Sequence, residues 1–107
     1  MKMITRFALV TLGLAMAATT SAQAAEVLVT ISNFTFTPAE ITIHPGDSVK
    51  FRNDDDIPHL VVAKDGSFKT KALDTGDSAP ITFLLAGENP YFCGLHPHML
   101  GKVIVAP

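Results

Sequence analysis

The stretch Cys93-Gly94-Leu95-His96-Pro97-His98-Met99 constrains this chain more than any other. It holds the only cysteine, a histidine three residues on, and a methionine three after that. A thiolate, an imidazole and a thioether thus fall within one short loop. Thiolate and thioether are soft donors that select copper. Two histidines, one cysteine and a weak axial methionine form the ligand set of blue-copper sites. The loop supplies three of those four donors, Cys93, His96 and Met99. A second histidine must come from elsewhere, and His59 is the candidate.

The chain opens with Lys2 and Arg6, followed by an almost wholly apolar run from Phe7 to Ala18 and the small-residue pattern Ala22-Gln23-Ala24. That order reads as a secretory leader over residues 1–24, cut after Ala24. The apolar run is well short of the roughly 20 residues a spanning helix needs, so no stable membrane insertion is expected. The leader would take Met1, Met3 and Met16 with it, leaving Met99 as the sole methionine. It would also take two positive charges, moving the net charge from −2 to −4, with 6 basic against 10 acidic residues. Such a balance does not favour nucleic acid or anionic lipid. A single cysteine in an oxidising compartment can form no internal disulfide, and a metal would resolve the liability of a free thiol.

Residues 25–107 are expected to form one small domain of short strands. Glu26 to Ile31 alternates with Val27, Val29 and Ile31 on one face, and Phe34 and Phe36 continue the two-residue period before Pro38. Glu40–His44 is the next expected strand. Pro45-Gly46-Asp47 turns the chain, and Ser48–Asn53 returns with Val49 and Phe51 inward. A polar loop with Asp54, Asp55 and Asp56 then leads to Pro58 and a strand over His59–Ala63. Ser67 to Pro80 is the least regular stretch, anchored by Phe68 and Leu73. Further strands are expected over Ile81–Leu85 and Lys102–Ala106, with Pro90–Cys93 running into the metal loop. Short strands separated by turns, with no amphipathic helix, indicate an all-β sandwich.

With Cys-x2-His-x2-Met at Cys93, His96 and Met99, Pro58-His59 upstream, Phe34 to Pro38 near the start and Pro45-Gly46-Asp47 at a turn, the chain resembles a cupredoxin of the short-loop, amicyanin-like or plastocyanin-like type. The resemblance implies a Greek-key β-sandwich holding one copper ion, and a one-electron carrier that cycles Cu(II) and Cu(I). It also implies that His96 is the electron's exit. The expected partners are redox proteins, the expected state a monomer, and the expected location, after export, the periplasm. The family commonly has Asn after the first histidine, tying the ligand loops together. This chain has Leu60 there, so only its backbone N–H remains to donate to the Cys93 sulfur.

Each candidate also has a plainer role. Cys93 alone could be a buried structural cysteine, and Met99 core filling; their shared loop favours ligation. His98 competes with His96, but it would force adjacent residues 98 and 99 onto one ion. His44 lies before a turn among surface residues, whereas Pro58 stiffens the approach to His59. The three aspartates read as a solvated loop or, less favoured, a docking surface for a basic partner. Copper handling is the alternative to electron transfer with the same ligands. A thiol enzyme lacks an evident residue to orient its base, and structural zinc prefers several cysteines.

Overall fold

The structure is a computed structural model describing residues 23–107. The expected leader, apart from its last two residues, lies outside the described residues. Eight strands make up the fold, with no helix among the described residues: β1 (Glu26–Ser32), β2 (Thr35–Thr37), β3 (Glu40–Ile43), β4 (Ser48–Asn53), β5 (Val61–Ala63), β6 (Ser78–Thr82), β7 (Gly87–Cys93) and β8 (Leu100–Val105). They form two sheets, in the orders β2-β1-β4-β6 and β3-β8-β7-β5. The chain changes sheet at each connection from β2 to β7, so β1 lies parallel to β4 and β3 parallel to β8. This is the all-β sandwich expected from the short strands, with the Greek-key topology that the resemblance implies.

Alternation puts one side of each strand into the space between the sheets. Val29 and Ile31 of β1, Ile41 and Ile43 of β3, Val49 and Phe51 of β4, and Val103 and Val105 of β8 are all buried. Tyr91 of β7 crosses the gap and meets Phe36 and Phe51 of the other sheet edge-on, at centroid distances of 4.8 and 5.2 Å. Such aromatic pairs add about 0.5–1.5 kcal/mol each beyond the area they bury.

Three expectations shift. The strand expected over Ile81–Leu85 is instead β6, and Leu84 and Leu85 are exposed. The apolar stretch Phe83-Leu84-Leu85 does not alternate and so sets no register, and β6 is an edge strand, where Pro80 loses no sheet bond that a neighbour needs. Phe34 does not continue the strand toward Phe36; it sits in the turn between β1 and β2 with φ of 56°. The strand expected from His59 begins at Val61, and His59 instead forms an isolated bridge with Leu73.

The site is positioned by register. β7 and β8 are antiparallel neighbours with Phe92 opposite Leu100, so residues 93–99 close the end of that hairpin. β5 pairs with β7 with Val61 opposite Cys93, which sets His59 and Leu60 beside the cysteine.

Candidate metal centre

Two successive turns shape the loop. The His96 N–H donates to the Cys93 carbonyl at 3.2 Å, and the Met99 N–H donates to the His96 carbonyl at 2.9 Å. The Cys93 N–H closes the circuit by donating to the Met99 carbonyl at 3.1 Å. Residues spaced by three therefore occupy equivalent places on consecutive turns, which is the physical content of Cys-x2-His-x2-Met. Cys93 and Met99 are buried and His96 is half-buried.

The second loop is tied to the first through Leu60. The Gly94 N–H donates to the Leu60 carbonyl at 2.8 Å, and the Leu60 N–H donates to the Cys93 Sγ at 3.5 Å. A Cβ on Gly94 would come within 2.8 Å of the Leu60 Cδ2, so the absence of a side chain there lets the loops close. The Leu60 side chain thus bears on the neighbouring loop by packing, where a polar side chain would do so by hydrogen bonding. His59 is fully buried and exchanges backbone hydrogen bonds with Leu73 at 3.1 and 2.7 Å. The irregular stretch that follows β5 therefore supports a site residue.

His59, Cys93 and His96 converge, with their donor atoms all within 4.8 Å of one another. Cys93 Sγ lies 3.5 Å from His59 Nδ1 and 3.6 Å from His96 Nδ1. A tetrahedral first-row ion with sulfur at about 2.3 Å and nitrogen at about 2.0–2.1 Å separates those atoms by about 3.6 Å. The cluster has the spacing a single ion needs, and its thiolate suits copper among the candidate metals. His44 and His98 stand outside it, both exposed.

In the aspartate loop Asp54 and Asp56 are exposed, as expected of a solvated loop, and Asp55 is the exception. Asp54 forms an ion pair with Arg52 at 2.9 Å. Asp55 turns inward, and its Oδ2 accepts a hydrogen bond from His59 Nε2 at 2.8 Å. The same carboxylate accepts the backbone N–H groups of Asn33 and Phe34. Burial pushes the Asp55 carboxyl up, but the Phe34 and Asn33 N–H donors and the His59 imidazole outweigh it and hold it below the usual range. A carboxylate on the outer nitrogen fixes a ligating imidazole's tautomer and leaves Nδ1 free for a metal. The spacing of Asp55 four residues before His59 was the available signal. Phe34 had none, because its ring reaches His59 and His96 from a distant turn.

A family profile described as a cupredoxin-like domain matches residues 5–105. The chain is 37% identical over 84 residues to amicyanin from Paracoccus versutus, covering 74% of this chain and 64% of that protein. It is 39% identical over 83 residues to the chloroplastic plastocyanin of Tetradesmus obliquus, covering 65% and 57%. The chain therefore spans less than two thirds of the length of both relatives. Among solved structures, the copper-containing nitrite reductase of Thermus scotoductus SA-01 superposes with a TM-score of 0.72 at 32% identity. That match covers 77% of this chain and 22% of that one. A match running nearly end to end, on a sandwich that gathers two imidazoles and a thiolate at one end, places this chain in the cupredoxin-like family.

Proposed function

We propose that this chain is an exported electron carrier holding one copper ion through His59, Cys93, His96 and Met99. The observation that carries the reading is the Cys93 sulfur set 3.5 and 3.6 Å from two imidazole Nδ1 atoms, with Met99 buried in the same loop. When bound, the ion supplies the Cu(II)/Cu(I) couple. The protein's part is to hold the donors still: the Leu60 N–H meets the thiolate, Asp55 fixes the His59 ring, and the loop's own hydrogen bonds place His96 and Met99. Four protein donors leave no position for a substrate, which favours a carrier over an enzyme.

His96 is the proposed exit. It is half-buried, and Leu95 and Leu100 beside it in sequence are exposed at 51% and 54%. With Phe34, Pro58 and Pro97 they offer a small apolar surface of the kind short-lived redox encounters use. Arg52 pairs with Asp54, and His59 with Asp55, so a basic partner would find Asp56 as the unengaged charge of that loop. Removal of a leader over 1–24 would deliver the remainder, as a monomer, to the periplasm in a Gram-negative cell.

Copper titration of the purified protein tests the reading. One Cu(II) should bind with an intense thiolate-to-copper charge-transfer band, and Cys93→Ser should abolish the band. A colourless Cu(II) complex of the wild type would overturn it. Fast electron self-exchange with copper retained would separate a carrier from a copper-handling protein, which would lose Cu(I) readily to an acceptor.

A further inference from the structure

Ser32 pairs with Thr35, so β1 and β2 are joined by just Asn33 and Phe34. Both residues have positive φ, 51° and 56°, which is the pattern of a type I′ turn, where Asn-Gly is strongly preferred. Asn tolerates that region, but a bulky aromatic residue rarely occupies it. The left-handed conformation is unfavourable for a residue with a Cβ, which crowds the following carbonyl oxygen. Backbone strain of this kind persists only where the surroundings over-determine it.

Here the surroundings are the Asp55 carboxylate. Its Oδ1 accepts the Asn33 N–H, and its Oδ2 accepts both the Phe34 N–H at 2.9 Å and His59 Nε2 at 2.8 Å. One side chain thus binds the turn and the buried histidine together. The outcome is the placement of the Phe34 ring. It stands nearly perpendicular to His59, at 5.7 Å between centroids, and to His96, at 5.1 Å. Those two imidazoles are themselves 5.1 Å apart, so three rings form one cluster. Phe34 is its outward member, 51% exposed. A glycine would suit the backbone better, so what the strain maintains is the ring.

We propose that Phe34, held in its turn by Asp55, is a positioning residue for the two copper-ligating imidazoles, restraining their rotation and shielding them from water on the outer side. The proposal rests on the copper reading above. It differs from an ordinary packing role because the ring sits in a conformation unfavourable to the turn, and because it touches both histidines from an element that supplies no ligand. His59 has a hydrogen bond to hold it; for His96, the exit imidazole, the Phe34 and His59 rings are the restraints from outside its own loop, and Phe34 is the one on the outer side.

Four variants test this: Phe34→Gly, which removes the ring and the strain together; Phe34→Leu, which keeps apolar bulk; Phe34→Tyr, which keeps the ring; and Asp55→Ala. Each is measured for urea stability and imidazole ¹H–¹⁵N resonances without metal, then for reduction potential and copper release to a chelator. Phe34→Gly should fold at least as stably as the wild type yet release copper about 10-fold faster or more, with a shifted potential. Phe34→Leu should repeat the faster release and Phe34→Tyr should restore the wild-type rate. Asp55→Ala should alter the His96 resonances of the metal-free protein, although it makes no hydrogen bond to that ring. Unchanged release and potential in both Phe34→Gly and Phe34→Leu would overturn the proposal, as would an unperturbed His96 in Asp55→Ala. Failure of the copper reading itself would show differently, as a colourless wild-type Cu(II) complex. In that case the metal-free imidazole resonances still decide whether Phe34 positions the histidines.

Discussion

Tyr91 heads the fully buried side chains by volume, and its ring joins the two sheets. Its hydroxyl finds no hydrogen-bond partner among the described residues, and burial pushes the phenol well above its ordinary value. An orphaned buried hydroxyl costs about 1–3 kcal/mol of desolvation. Tyr91→Phe keeps the ring and removes that cost, so its urea midpoint should equal or exceed the wild type's. A clear loss of stability would mean the hydroxyl has a partner. Gly101 lies opposite Tyr91 in the β7–β8 ladder, and a methyl group built on it would overlap the Tyr91 ring. Overpacking of this kind costs roughly 1–3 kcal/mol. Gly101→Ala should lower the midpoint accordingly, and Tyr91→Leu in the same chain should recover part of the loss by making room.

The turn between β3 and β4 works as a junction for three segments. The Asp47 side chain accepts the Ala25 N–H and the His44 N–H, each at 2.9 Å. Gly46, with φ of 95°, donates to the Phe83 carbonyl at 2.7 Å, and the Phe83 N–H returns to Asp47 at 3.0 Å. One turn therefore fastens the lead-in to β1 and the exit of β6. The His44 and Ala25 N–H groups hold the Asp47 carboxyl below its ordinary value of 3.8, against a smaller opposing effect of desolvation. A carboxylate depressed in the folded state contributes stability above its unfolded value, and that contribution disappears as pH falls through the folded value. Asp47→Asn should therefore be less stable than the wild type at pH 7 and converge with it in acid. Urea midpoints taken across pH 7 to about pH 2 check this; a constant gap would assign the effect to geometry alone.

At the scale of the whole molecule, the sandwich and the site are coupled but not equivalent. The core runs through both sheets, from Val29 and Phe51 to Val103, and much of it lies away from the metal loop. The metal-free protein should therefore keep its strands, with unchanged far-ultraviolet circular dichroism. An ion that binds the folded chain and not the unfolded one adds about 2.7 kcal/mol at a hundred times its dissociation constant. For a domain of this size that is a rise in thermal midpoint of roughly 10 °C or more. Cys93→Ser should lose most of the rise while keeping the metal-free midpoint close to the wild type's. Collapse of the strands on copper removal would instead show that the ion holds the sandwich together.

What the sequence determined by itself is what the backbone repeats locally. Two-residue alternation marks β1, β3, β4 and β8 because each strand buries one side only. The three-residue spacing of Cys93, His96 and Met99 matches two consecutive turns, and Pro58 marks the histidine that joins them. The tertiary structure decided whatever depends on register between distant segments. His59 reaches Cys93 only because β5 lies beside β7. Leu84 and Leu85 are apolar yet exposed, since an unalternating run does not say where a strand should stop. Asp54, Asp55 and Asp56 are identical in type and adjacent, but only Asp55 faces both His59 and the turn that carries Phe34. Adjacent residues of one kind are distinguished by the direction the folded backbone gives each side chain, and that direction is set by contacts made across the chain.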